Sequence, residues 1–157
     1  MFKKIAIALL AAAATGTLAL TAPAAAASPG PYDQSDQWGP VHARHHLAKA
    51  KGWVGVEWDE HQESNTVHVK GRLYDLDPRG YGQGGRCAYV KFQAASFDHE
   101  WDEVYSRKHC GYPGSKKFGF SVDDVSALRV KVCQVHPYKH WVSKCGHWDH
   151  LYAAESE

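Results

Sequence analysis

The chain has 157 residues, 18 basic and 17 acidic side chains, eleven histidines and a formal charge of +1. That length suits one ordinary domain beside a short leader. The near-balance of charge excludes long-range steering toward DNA or anionic membranes as the main basis of function.

The first 27 residues read as an export signal. Lys3 and Lys4 precede an almost unbroken apolar run from Ile5 to Leu20, and Ala25-Ala26-Ala27 supplies an A-x-A cleavage pattern. The run is shorter than a typical membrane span and no charged anchor follows it. No later segment is apolar enough to serve as a span, so the expected product is extracellular, residues 28 to 157. Losing Lys3 and Lys4 leaves 16 basic against 17 acidic side chains, a charge of −1.

Ser28 to Lys51 is expected to be a flexible N-terminal arm. It opens Ser-Pro-Gly-Pro, contains Trp38-Gly39-Pro40, and sustains neither a period of 2 nor one of 3.6. His42 to Lys51 suits a short basic helix ended by Gly52. Tyr32, Trp38 and His42 are the arm's candidate docking residues.

From residue 52 to 157 the pattern predicts an all-β domain. Val54, Val56 and Trp58 alternate with Gly55 and Glu57. After the polar turn Asp59 to Asn65, Val67, Val69, Gly71 and Leu73 alternate with His68, Lys70 and Arg72. A Gly- and Asp-rich loop from Asp75 to Gly85 leads to a third strand, Cys87 to Ala95. A short fourth covers Trp101 to Tyr105. The fifth carries Phe118, Phe120 and Val122 inward, the sixth Leu128, Val130 and Val132, and the seventh runs from Gly146 to Tyr152. About seven short strands with turn signals between them indicate a single antiparallel β-sandwich, Ig-like in architecture, with a small barrel as the alternative.

Cys87, Cys110, Cys133 and Cys145 follow an export signal, so they are read as two disulfides and not as nucleophiles or metal ligands. Cys87 with Cys110, and Cys133 with Cys145, is the favoured pairing, because each would tie the base of a β-excursion. No C-x-x-C pair is present.

The other candidate chemistries lack their context. Gly80-Tyr81-Gly82-Gln83-Gly84-Gly85 fits G-x-G-x-x-G, but a strand and not a helix is expected after it. His42, His45 and His46, and the later His136, His140, His147 and His150, form no metal-ligand pattern; His147 and His150 on one strand would face opposite ways. Asp75 and Asp77 could offer oxygens to calcium, yet the regular D-x-D-x-D-G spacing is missing and Asx-turns explain them. Ser96, Asp98 and His99 have no nucleophile elbow around them. The expectation is therefore no catalytic residue, no metal and no cofactor.

Aromatic residues exceed what one small core needs: six Trp, eight Tyr and five Phe. Tyr138, Trp141 and Trp148 are the candidate binding residues outside the arm, with Tyr81 and Tyr112 as further loop aromatics. Such side chains anchor protein partners or stack on sugars. The leading expectation is a secreted, non-enzymatic interaction protein. The alternative is a carbohydrate- or cell-wall-binding module, and the third is a small secreted inhibitor or antimicrobial.

The motifs Gly71-x-Leu73-x-Asp75, Cys87-Ala88-Tyr89-Val90, Cys110-Gly111, Phe118-x-Phe120, Val130-Lys131-Val132-Cys133 and Cys145-Gly146-x-Trp148 resemble those of small secreted four-cysteine β-domain proteins of actinobacteria. The resemblance covers residues 52 to 150. In outline the chain is also similar to the small adaptor subunit of Streptomyces umbrella toxin particles. That likeness implies an adaptor whose partners are a lectin-bearing subunit and a large polymorphic toxin.

Overall fold

The computed structural model describes residues 32–98 and 100–154. The export signal, its cleavage point and residues 28–31 of the expected arm lie outside these. The described chain forms two antiparallel sheets packed face to face. The first sheet has the order β1-β2-β3-β6, from Gln34–His42, Ala48–Trp58, Asn65–Asp75 and Ser115–Asp123. The second has β5-β4-β7, from Trp101–His109, Cys87–Ala95 and Ala127–Val135. Along the outer side of β7 lie the two-residue β8, Val142–Ser143, and β9, Asp149–Ala153.

Alternation produces the core. Val54 and Val56 of β2 and Val67, Val69 and Leu73 of β3 face Val90 and Phe92 of β4 and Leu128, Val130 and Val132 of β7 in one buried cluster. Phe92 is fully buried and meets Trp38, Phe118 and Phe120 at ring separations of 5.7, 5.6 and 4.9 Å. Where the outer strands β5 and β6 meet, Tyr105 stacks on Phe120 at 4.5 Å with planes 8° apart. Offset aromatic pairs of this kind add about 1 kcal/mol beyond the area they bury.

The described part of the expected arm is sheet. Gln34–His42 is an edge strand, and Ala48 to Lys51 opens β2 in register with β3. An edge strand tolerates a polar sequence and a proline because one side needs no partner. The Gly-Pro pair that breaks the alternation marks a bulge between Trp38 and Val41. Gly39 has φ +84°, and a Cβ there would lie 2.7 Å from the Ala50 carbonyl oxygen. The expected basic helix is reduced to a 3-10 turn at Arg44–His46, in which His45 and His46 have φ of +64° and +57°. Ala48 and Ala50 then point inward and are fully buried. Pairing on both sides overrides the helix propensity of the Ala-Lys sequence.

The described residues hold nine strands, not seven: β1 and β8 are the additions. β5 also runs four residues further than expected, to His109, because its bulge opposite Phe92 and Gln93 hides the alternation.

Trp38 is only 6% exposed. Its ring occupies space left by Gly71, where a Cβ would come within 2.9 Å of Trp38 and 2.7 Å of Phe118. A docking role for Trp38 is thus overturned: the side chain is core. Among the described residues no helix is long and apolar enough to cross a membrane.

Candidate functional site

Both disulfides form as expected, Cys87 with Cys110 and Cys133 with Cys145. Two disulfides indicate an oxidising environment. They sit at the same end of the sandwich, where Cys87 pairs in register with Val135 and Ala88 with His109. The loop after β3, the turn after β5 and the excursion between β7 and β8 also meet there.

Two buried carboxylates organise this end. Asp75, the last residue of β3, accepts from the backbone N–H of Asp77 at 3.1 Å and of Gly111 at 2.9 Å. Asp77 accepts from the Nε and Nη2 of Arg79, each at 2.8 Å, and from the Arg79 N–H at 3.3 Å. It also accepts from the Arg86 N–H and the Gln134 Nε2, both at 3.2 Å. The Arg79 fork, aided by the Arg79 and Arg86 backbone N–H groups and by Gln134, draws the Asp77 pKa down to about 2 against the cost of burial. The bonds from residue i to i+2 are Asx-turns. These oxygens serve to fix the 76–86 loop, and through Gly111 they couple it to the Cys110 bridge.

On this base stand exposed aromatics. Tyr138 is 78% exposed, Trp141 64%, Tyr112 54% and Tyr81 53%. Tyr81 meets Tyr138 edge-on at 4.8 Å and His136 at 5.4 Å. His136 Nδ1 accepts from the backbone N–H groups of Tyr138 and Lys139, both at 3.2 Å, and the His136 backbone N–H donates to the Trp141 carbonyl at 3.1 Å. Lys108 Nζ of β5 donates to the Pro137 carbonyl at 2.8 Å. The loop tip is therefore tied by its own bonds, by a neighbouring strand and by the Cys133–Cys145 bridge. Between Arg79, Tyr81, Tyr112, Tyr138 and the Cys87–Cys110 bridge lies a cavity of about 370 Å³.

The sequence-predicted residues divide into three places. Tyr138 and Trp141 belong to this loop end, and the fold adds Tyr81, Tyr112 and Arg79 to them. Trp148 belongs to the outer face of the second sheet. There the Arg129 guanidinium lies 3.9 Å from the Trp101 ring and 4.4 Å from the Trp148 ring, and Lys131 Nζ lies 4.4 Å from Trp148. Arg129 also donates twice to the Gln93 side-chain oxygen. This cation–π ladder covers the sheet with groups that satisfy one another. Burial, with Lys91 and Arg129 nearby, pushes the Lys131 pKa down.

The arm residues separate from one another: Tyr32 lies against the outer face of the first sheet, whereas His42 begins the turn whose Arg44 N–H donates to the Lys144 carbonyl, beside Cys145, at 2.9 Å. Tyr32 is half-buried against Trp53 and His68, at 4.7 and 5.3 Å. His42 sits 4.6 Å from His46 and is pushed below its ordinary pKa by burial, then by His46 and Lys49.

The sequence reading missed Arg79 because its importance rests on a contact with buried Asp77. Among the described residues no group of three or more His, Cys, Asp or Glu is arranged to hold a metal ion. No family model, curated protein or solved structure matches this chain.

Proposed function

We propose that the protein is a secreted, non-enzymatic interaction module that grips a protein partner with its disulfide-braced loop end. The observation that carries this reading is the set of four aromatic side chains, Tyr81, Tyr112, Tyr138 and Trp141, each more than half exposed on loops that are rigidly tied. Leaving large apolar rings in water has a cost that a partner would remove. Tyr, Trp and Arg are the residue types that dominate binding energy at protein interfaces. Because the loops are fixed before binding, little ordering entropy opposes association.

An adaptor of the umbrella-particle kind, joining a lectin-bearing subunit to a large toxin, is the specific form of this proposal. Its second contact cannot use Trp38, which is buried, so a second surface must come from elsewhere on the sandwich. The test is affinity capture from culture medium, with wild-type protein compared with Tyr138→Ala/Trp141→Ala. A protein retained by the wild type and lost by the variant supports the reading. Recovery of the bait alone, or equal retention by both, overturns it. Binding to chitin or peptidoglycan that disappears in Trp141→Ala would transfer the loop end to a carbohydrate ligand.

A further inference from the structure

The outer face of the first sheet carries three cations in direct register. Lys51 of β2 is opposite Arg72 of β3, which is opposite Lys117 of β6. Like charges directly opposite on neighbouring strands destabilise a sheet. All three side chains are exposed. Lys70, two residues before Arg72 on the same face of β3 and also exposed, adds a fourth. These four surround a groove of about 590 Å³ whose lining contains no acidic residue. The expected secreted chain is close to neutral, so this concentration of positive charge is local.

The groove also has aromatic walls. Trp53 lies over Gly55, where any side chain would strike its ring, and Lys70 Nζ is 5.8 Å from the Trp53 ring. Tyr74 flanks the other side with Lys49 Nζ 5.1 Å from its ring. Trp53 is half-buried, with Tyr32 edge-on at 4.7 Å; the part of its indole left in solvent can pack on the apolar face of a pyranose, while the cations hold the anionic substituents. Extended peptides, in contrast, usually add to a sheet edge, where backbone groups are unpaired. This groove crosses the face. Ser28 to Pro31, which precede the described residues, carry no acidic group to complement it.

We infer that this face binds an anionic polysaccharide, with Lys51, Lys70, Arg72 and Lys117 on its carboxylate or sulfate groups and Trp53 against a sugar ring. The site is separate from the loop end and does not depend on that reading. Together the two would let one small domain join a protein partner to a charged glycan surface.

The purified, oxidised protein should be titrated with polygalacturonate, heparin, neutral dextran and poly-L-glutamate. The expected result is binding to polygalacturonate or heparin, at least about tenfold tighter than to polyglutamate, weakening steeply with salt. Which polymer is preferred distinguishes carboxylate from sulfate as the recognised group. Lys51→Ser/Arg72→Ser alters only exposed side chains and should weaken binding about tenfold or more, and flatten its salt dependence. Trp53→Ala should weaken binding while leaving the salt dependence steep. Partner capture through the loop end should be unchanged in Lys51→Ser/Arg72→Ser. Absence of binding to both anionic glycans, equal binding to dextran or polyglutamate, or an unchanged affinity in Lys51→Ser/Arg72→Ser would overturn the inference. So would concentration-dependent dimerisation that the same double variant abolishes, which would assign the face to a second copy.

Discussion

Gln134, on β7 in the second sheet, donates a buried hydrogen bond at 3.2 Å to Asp77, in the loop that leaves the first sheet. The two residues are 57 positions apart in the chain. Their contact fixes the 76–86 loop, and with it Arg79 and Tyr81, against the strand that carries Cys133. The rigidity of the loop end therefore has an identifiable source, and it can be removed.

Asp77 should confer a specific acid sensitivity. Its folded pKa is about 2 against an ordinary 3.8. A carboxyl with a depressed folded pKa contributes its full stability above the unfolded value and loses it as pH falls through the folded one. The contribution is at most about 2 kcal/mol, because the Arg79 side chain that supplies the largest part is 42% exposed and screened by solvent. Stability measured by denaturant between pH 5 and pH 2 should fall less steeply for Asp77→Asn than for the wild type. That variant should also be less stable at pH 7, by about 1–3 kcal/mol, through its broken buried contacts. Equal pH slopes would show that Asp77 is not linked to folding.

Gly71→Ala should damage the core. The new Cβ would stand 2.9 Å from the Lys51 carbonyl oxygen, 2.7 Å from Phe118 and 2.9 Å from Trp38. Backbone on one side and two packed rings on the other leave no direction for relief. The expected loss is about 1–3 kcal/mol, read as a lowered midpoint in urea. Gly82→Ala, which meets nothing within 4 Å, is the control and should change stability little.

The two disulfides should differ in what they protect. Replacing Cys87 and Cys110 by Ser removes a bridge spanning 23 positions, and replacing Cys133 and Cys145 one spanning 12. By chain entropy each contributes on the order of 3 kcal/mol, slightly more for the longer loop. Only the second encloses Tyr138 and Trp141. Cys133→Ser/Cys145→Ser should therefore accelerate hydrogen exchange across residues 136–141 beyond the global change. The first pair closes the β4–β5 hairpin, whose tip around Phe97 lies at the far end, so its removal should not single out 136–141.

Much of this architecture was legible in the sequence, and the exceptions have physical causes. The inward valines of β2, β3, β4 and β7 alternate plainly, and the cysteine pairing followed from which strands they bracket. β1 was illegible because an edge strand obeys half the rules of an inner one: seven of its nine residues are not buried, and Gly39-Pro40 interrupts its period. Trp38 read as an exposed arm aromatic because the cavity that accepts it comes from glycine on a different strand. Tyr138 and Trp141 were legible as loop aromatics outside the buried periodicity. Trp148 looked equivalent, yet Arg129, Lys131 and Lys91 occupy its ring from strands the sequence does not align. The row Lys51–Arg72–Lys117 is invisible until register is known, since its members are 21 and 45 positions apart.

Tyr138→Ala and Trp141→Ala should leave folding intact, because both side chains are mostly in solvent; changes within about 0.5 kcal/mol are expected. Their effect should appear in binding alone. The most direct measurement is the equilibrium affinity of the captured protein partner for wild type, for Tyr138→Ala/Trp141→Ala and for Lys51→Ser/Arg72→Ser, with all three shown to melt alike. The loop-end variant should bind at least about 30-fold more weakly, the loss of a hot-spot pair worth about 2 kcal/mol, and the sheet-face variant should bind as the wild type does. An affinity unaltered in Tyr138→Ala/Trp141→Ala would contradict the assignment of partner binding to the braced loop end.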